Sequence, residues 1–369
     1  MRIYFLLLAK MLLACLFLAC GNSNNNAEYE GYTIPNRPDS TLVIRGTTTA
    51  VRAGEQIYLF KMDATGDLEL VAAQYPSGRD NRFEFTVTVT EPTFYALNFY
   101  NRQQEGFWLY KSDVNITAEA VNQESYFQIS GCRDNDLLRK FKALSDDIAA
   151  QMQQMKAEEH IEYRREKVET FLEDAGTSIV SIMASNLLIP EEDLDKMEDI
   201  GQKLTKVYPR SSYVKNYIKN LELAKSLMVG QPAPDIKFKT QDGRTTSLSA
   251  LKGKFVYLDF WSSSMPQALQ SMQQLQGLYA TYQPKGVEFV SIYMDKDADE
   301  PFKLNTTGCK WPQVIDRADS LSNCMESYAV KPQNGYFFGY FINPEGKILA
   351  KGGLRGAKIT SMLENAVSN

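Results

Sequence analysis

The stretch from Val256 to Leu269, VYLDFWSSSMPQAL, decides the fold of the C-terminal part of the chain. It begins with apolar residues of the kind that fill a buried strand, continues through Asp259, and ends this strand pattern at Trp261. A run of serines then forms a short polar turn, and helical spacing of apolar residues begins near Pro266. The stretch therefore predicts a buried strand, a tight turn and a helix, in that order.

The segment around this unit, residues 229–369, alternates strand and helix patterns. The runs KFVYLDFW, VEFVSIYMD and GYFIN are strongly apolar, and stretches with helical spacing separate them. Alternation of this length predicts an α/β domain with helices on both faces of its sheet.

Two regions with other patterns precede this domain. Residues 40–131 contain short β-branched or aromatic runs, such as TLVIRG and RFEFTVTVT, separated by turn residues. This pattern predicts an antiparallel β-sandwich or barrel. Residues 132–228 have helical spacing that is interrupted near Gly176, at Ile189-Pro190 and at residues 208–212, which predicts an all-α spacer of about four helices.

The N-terminus is typical of a targeting segment. The apolar run MLLACLFLAC is too short to span a membrane, and it ends at Cys20. The pattern resembles a bacterial lipoprotein signal, with residues 1–20 as the signal peptide, Cys20 as the acylated residue and residues 21–39 as a flexible tether. We therefore expect a lipid anchor in the cell envelope, on the periplasmic side of the outer membrane. Lipidation at Cys15 and an ordinary secretory signal stay open as alternatives.

Composition excludes several classes of function. The 40 basic and 45 acidic residues give a net charge of -5, without a Lys/Arg-rich patch, so we expect no nucleic-acid partner. The single histidine, His160, lies in the charged helical stretch KAEEHIEYRREK and is interpreted as a solvated helix residue. Histidine-rich zinc or copper sites are therefore excluded, and we expect no metal and no cofactor.

Several segments of residues 229–369 together resemble the redoxin or thiol–disulfide oxidoreductase (AhpC/TSA, thioredoxin-like) family. They are VGQPAP, LKGKFVYLDFW, KGVEFVSIYMD and INPEGKILAK. The resemblance implies a thioredoxin-like fold and a Cys-x-x-Cys pair at the strand–helix turn, but the two cysteine positions hold Met265 and Ala268. A thioether and a methyl group cannot exchange disulfides. Phe337 occupies the position of the family's cis-proline.

These features predict a lipid-anchored protein with a degenerate, redox-inactive thioredoxin-like domain that binds a peptide or an envelope protein. No catalytic residue is expected. The old active-site surface is the candidate binding patch, and it comprises Asp259, Trp261, Ser264, Met265 and Phe337.

Two alternatives stay open. In the first, thiol–disulfide chemistry has moved to Cys309 and Cys324, which lie close in sequence and are also the expected internal disulfide. In the second, the β-domain is a glycan- or ligand-binding module, because it is rich in aromatic residues. Aromatic residues also pack the cores of ordinary β-domains.

Overall fold

The structure is a computed structural model that describes residues 40–51, 54–99, 103–121, 124–240, 243–263, 265, 267–295, 306–316, 323–330 and 337–368. These residues belong to two compact units, which divide between Leu221 and Glu222. The predicted signal peptide and tether, including Cys20, lie outside the described residues.

The N-terminal unit begins with two four-stranded sheets, in the orders β4-β1-β7-β8 and β3-β2-β5-β6. Their strands are Thr41–Thr48 (β1), Ile57–Met62 (β2), Leu68–Gln74 (β3), Arg82–Thr88 (β4), Thr93–Phe99 (β5), Gln103–Leu109 (β6), Val114–Val121 (β7) and Glu124–Ser130 (β8). Strand β4 alternates buried Phe83, Phe85 and Val87 with exposed residues, and these three side chains join the core that both sheets contribute to. The antiparallel β-domain is thereby confirmed, with one difference: β1 and β7 pair in parallel.

Helices follow the sheets in the same unit: Arg133–Met152 (α1), His160–Ala175 (α2), Ser181–Ser185 (α3), Pro190–Val207 (α4) and Ser212–Ser226 (α5). Met62, Phe94 and Trp108 lie side by side on three neighbouring strands and share a second core with these helices. The Asn135 side chain accepts from Trp108 N at 2.6 Å and donates to Trp108 O at 2.9 Å. The helical region therefore packs on one sheet of the β-domain, whereas the sequence predicted a spacer.

The C-terminal unit contains a five-stranded sheet in the order β13-β12-β11-β14-β15. Its elements, with a preceding hairpin of β9 and β10, are Lys237–Lys239 (β9), Thr245–Ser247 (β10), Phe255–Trp261 (β11), Ala268–Tyr282 (α6), Val287–Tyr293 (β12), Gln313–Ile315 (β13), Cys324–Ser327 (α7), Phe338–Ile342 (β14), Ile348–Gly352 (β15) and Ala357–Ser368 (α8).

The direction of the strands defines this fold. Strands β11, β12 and β13 are parallel, and β14 and β15 are antiparallel to their neighbours. The central strand β11 is buried at six of its seven positions, as its continuous apolar pattern predicts. This arrangement confirms the thioredoxin-like α/β fold. Within the described residues, no helix combines the length and the apolar character that a membrane crossing needs.

Candidate functional site

The connection between β11 and α6 carries the two positions where the family resemblance implies cysteines. Met265 N donates to Ser262 O at 3.2 Å, and Ala268 N donates to Met265 O at 3.1 Å, so the chain turns twice before the helix. Gln267 has a left-handed backbone (φ 61°), which ends the turn and delays the first helical residue to Ala268. The predicted start near Pro266 was therefore early, and Pro266 itself lies outside the described residues.

Both positions face the interior. Met265 is 3% exposed and Ala268 is 5% exposed, and both belong to the core of the C-terminal unit. Met265 lies ahead of the helix rather than at its first residue. Because Met265 belongs to the core, a side chain at position 265 contacts apolar neighbours and has almost no contact with water.

The serines of the turn are held by an aspartate that follows the neighbouring strand, β12. Ser262 Oγ donates to both carboxylate oxygens of Asp295 at 2.7 Å, and Ser263 N donates to the same carboxylate at 3.1 Å. Ser263 Oγ also lies 2.7 Å from the Tyr293 hydroxyl. With the chain's single histidine at position 160, no imidazole of this domain can activate these hydroxyl groups. The cluster clamps the ends of two parallel strands together.

Asp259 lies in the middle of β11 and is fully buried. Arg355, from the segment between β15 and α8, donates through Nη2 to both Asp259 carboxylate oxygens at 2.6 Å. The side chains of Arg355 and Asp259 are 13% and 1% exposed, so this is a buried ion pair.

Two hydroxyl groups complete the surroundings of Asp259. Ser291 Oγ lies 3.3 Å from Oδ2, and the Tyr257 hydroxyl lies 3.2 Å from Oδ1 but donates over the shorter distance of 2.6 Å to Leu354 O. Burial raises the pKa of the Asp259 carboxyl, and the charge of Arg355 opposes this shift. Burial likewise raises the pKa of Tyr257 well above its usual value. Arg355 is therefore the main partner that stabilises the ionised carboxylate.

The structure corrects the predicted binding patch. Asp259 and Trp261 have no exposed surface and Met265 is 3% exposed, because β11 is the central strand and is covered on both faces. These three side chains cannot form a contact surface. Ser264 lies outside the described residues, and Phe337 is half-buried.

Phe337 packs against the ion pair. The guanidinium carbon of Arg355 lies 4.2 Å from the centroid of the Phe337 ring, which is a cation–π geometry. The ring thus covers the charged group of Arg355 on one side. The peptide bond that precedes Phe337 involves residue 336, which lies outside the described residues.

The predicted disulfide between Cys309 and Cys324 is wrong in this structure, because both residues are thiols. Cys309 is 9% exposed and Cys324 is fully buried. Burial raises the pKa of Cys324 to about 12 and also raises the pKa of Cys309, where an interaction with Gln276 opposes the shift. Each thiol therefore lies in its own buried environment, and neither resembles a reactive cysteine.

Sequence reasoning missed Asp295 and Arg355. Asp295 follows β12 as Ser262 follows β11, and parallel neighbours bring these ends together, so a signal for this contact was present. Arg355 lies 96 positions from Asp259, and no local pattern indicates their contact. Among the described residues, no group of histidine, cysteine, aspartate or glutamate side chains is arranged to hold a metal ion.

Comparison with known proteins assigns the family. The model of the AhpC/TSA family matches residues 229–351. A thiol-disulfide oxidoreductase ResA from Bacillus thuringiensis (strain Al Hakam) is 30% identical over 125 residues, which are 33% of this chain and 68% of the relative. A ResA from Geobacillus thermodenitrificans (strain NG80-2) is 33% identical over 129 residues, with the same shares of 33% and 68%. The chain belongs to the AhpC/TSA family.

Solved structures of similar proteins cover the same part of the chain. The thioredoxin domain of a thiol-disulfide oxidoreductase from Bacteroides vulgatus is 29% identical, with a TM-score of 0.33, and the match covers 38% of this chain and 99% of that domain. The residues that the family model matches, 229–351, lie within the C-terminal unit.

Proposed function

We propose that this chain is a lipid-anchored protein of the cell envelope whose thioredoxin-like domain binds a peptide or partner protein and does not exchange disulfides. The proposal rests on which residues occupy the turn between β11 and α6. Met265 and Ala268 stand where the family's cysteines are expected, and neither side chain can form or resolve a mixed disulfide. Asp259, on the strand that precedes them, is engaged by Arg355.

The alternative oxidoreductase would use Cys309 and Cys324. Thiol–disulfide exchange requires an accessible thiolate. Both thiols are buried, and the pKa of each is raised, so the thiolate fraction near neutral pH is very small. These properties favour the non-catalytic proposal over this alternative.

For binding, the proposal places the contact beside Phe337. Its ring is half-buried and stacks on Arg355, which fixes its position ahead of β14. A rigid aromatic side chain offers apolar contact area at low entropic cost. The proposed ligand is an extended peptide or a loop of an envelope protein.

The lipid anchor rests on the N-terminal sequence, in which the apolar run ends at Cys20 and a polar segment follows. Metabolic labelling with a palmitate analogue should mark the wild-type chain and spare Cys20→Ser. Equal labelling of the two would contradict an anchor at this residue.

A disulfide-exchange assay tests the catalytic part of the proposal. The whole chain, with dithiothreitol as reductant, should reduce insulin no faster than dithiothreitol alone, because no exchange pair is present. A Cys-x-x-Cys thioredoxin serves as the positive control. Turnover that is lost in the variant Cys309→Ala/Cys324→Ala would show that the alternative is correct.

Photo-cross-linking tests the binding part. A benzophenone amino acid in place of Phe337 should give cross-linked products in envelope membranes of cells that express the whole chain. The matched control is the same substitution at Leu349, which is 41% exposed in the same unit. Equal products at both positions, or none at position 337, would place any contact elsewhere.

A further inference from the structure

A cleft of about 530 Å³ lies on the outer face of the sheet β4-β1-β7-β8 in the N-terminal unit. Arg45 and Thr47 of β1 pair with Asn115 and Thr117 of β7, and all four side chains line the cleft. Because side chains alternate along a strand, the intervening Ile116 faces the core and is 2% exposed. The floor of the cleft is thus a row of hydroxyl, amide and guanidinium groups.

The connection between β3 and β4 forms one wall, and it is fixed in place. Ser77 and Arg82 exchange backbone hydrogen bonds of 2.8 and 2.7 Å. In the amide orientation that satisfies both groups, the Gln74 side chain donates to Glu84 O at 3.0 Å and accepts from Glu84 N at 2.6 Å. The wall is therefore held against the edge strand without a ligand.

Two arginines and three carboxylates lie in or beside the cleft. Arg45 lies between two carboxylates, with Nε 3.6 Å from Glu84 and Nη2 3.7 Å from Asp113. Arg82 pairs with Asp80 at 3.0 Å. Each arginine therefore already faces a carboxylate, and this arrangement favours a neutral ligand over an anion.

The Arg45 contacts leave hydrogen-bonding capacity unused. Distances of 3.6 and 3.7 Å are too long for direct hydrogen bonds. Arg45 Nε is buried and has no hydrogen-bond partner within the described part of the chain. The Arg45 and Glu84 side chains are 29% and 60% exposed. A ligand hydroxyl beside their exposed groups would accept from the guanidinium and donate to the carboxylate, since a hydroxyl does both.

Tyr75 stands at the rim of the cleft and is 61% exposed. A ring so far out of the core gains little from packing, and its face is open to a ligand. An aromatic face takes the apolar side of a ligand, while neighbouring polar groups take its hydroxyls. From the carboxylates that already face both arginines, the polar floor and this ring, we infer that the cleft binds a neutral saccharide.

Calorimetric titration of the whole chain tests the inference. The probes are neutral tetrasaccharides of glucose, mannose, galactose and N-acetylglucosamine, and tetragalacturonate is an anion of the same length. At least one neutral probe should bind with a Kd of about 1 mM or tighter. Tyr75→Ala should weaken this binding by roughly tenfold, or about 1.4 kcal/mol.

Tyr58→Ala is the matched control, because Tyr58 is also an exposed tyrosine (36%) and lies on β2 in the other sheet. The Tyr58→Ala variant should bind the neutral probe with the same affinity as the wild type. The inference is overturned if no neutral probe binds, if tetragalacturonate binds more tightly than every neutral probe, or if Tyr75→Ala binds as the wild type does.

Discussion

Arg355→Met should destabilise the C-terminal unit strongly, because it removes the charge that stabilises the buried Asp259. Arg355 Nη2 contacts both carboxylate oxygens at 2.6 Å, and Asp259 has no exposed surface. A methionine side chain fills much of the same volume without the charge. The substitution therefore tests electrostatics more than packing.

The expected magnitude follows from the geometry. Removing one partner of a buried ion pair costs about 3–5 kcal/mol, since the other charge is left in an apolar environment. Asp259 would keep the longer contacts to Tyr257 and Ser291, at 3.2 and 3.3 Å. We therefore expect a loss near the lower end, ~3 kcal/mol at pH 7. The double variant Asp259→Leu/Arg355→Met should lose less than this, because no buried charge remains.

The loss should depend on pH in a defined direction. The pKa of Asp259 in the folded chain is raised above its ordinary value of 3.8. Protonated Asp259 therefore makes its full contribution to the free energy of unfolding below pH 3.8. This contribution is lost as the pH rises through the pKa of Asp259 in the folded chain. Removing Arg355 raises the pKa of Asp259 in the folded chain further. It therefore widens the pH range between the unfolded and the folded pKa, over which the free energy of unfolding falls. The deficit of Arg355→Met should be small in acid and grow towards neutral pH.

The assay is hydrogen–deuterium exchange of the whole chain at increasing urea, measured by mass spectrometry on peptides from β11 and β14. Reading these peptides separates the C-terminal unit from the rest. Lys254→Met is the matched control, because Lys254 forms an ion pair with Glu288 at 2.7 Å while its own side chain is 47% exposed. Such pairs contribute about 0–1 kcal/mol. A loss in Arg355→Met no larger than in Lys254→Met, or one that grows in acid, would refute the reasoning.

Two further predictions concern buried groups. Cys309 and Cys324 should react with iodoacetamide at pH 8 at least ~100-fold more slowly in the native chain than in urea, because burial raises the pKa of both thiols. Peptide mapping measures the two reaction rates. Equal rates in the native chain and in urea would contradict the burial. Asn135→Ala should lower the free energy of unfolding of the N-terminal unit by ~2 kcal/mol, since it leaves the buried N–H and C=O of Trp108 without their partner. Urea denaturation measures this loss, and the exposed Gln151→Ala should change it by less than ~0.5 kcal/mol.

Much of the fold could be predicted because its strands carry strong local patterns. The alternation in β4 and the continuous apolar run in β11 each indicate how many faces of the strand are covered. The packing of helices on the β-domain was missed, although the nearly continuous apolar run TFYALNF of β5 indicates a strand with two covered faces, and the strand is buried at six of its seven positions. The parallel pairing of β1 with β7 has no such signal. It joins segments about 70 residues apart, as the bond from Val43 N to Asp113 illustrates.

The sequence predicts which chemical groups stand at the site, but it does not predict which of their side chains are buried. The identities of Met265 and Ala268 exclude an exchange pair without any structure. Met265 and Ala268 are buried at the turn before α6, where the left-handed Gln267 precedes the helix, and Trp261 is buried as the last residue of the central strand. No propensity rule predicts a left-handed glutamine, because that conformation is disfavoured for residues other than glycine, asparagine and aspartate. The predicted surface patch failed for this reason.

The Arg355–Asp259 ion pair and the lack of a thiol at positions 265 and 268 both favour a structural role for Asp259. A carboxyl group that serves proton transfer must bind and release protons as the reaction proceeds. Asp259 is instead held through both oxygens by Arg355, which in turn is covered by Phe337. Asp259 is thus engaged in a structural contact, and this contact needs no role in exchange. Substitutions here should therefore change the unfolding free energy of the C-terminal unit and leave disulfide exchange at the rate of the reductant alone.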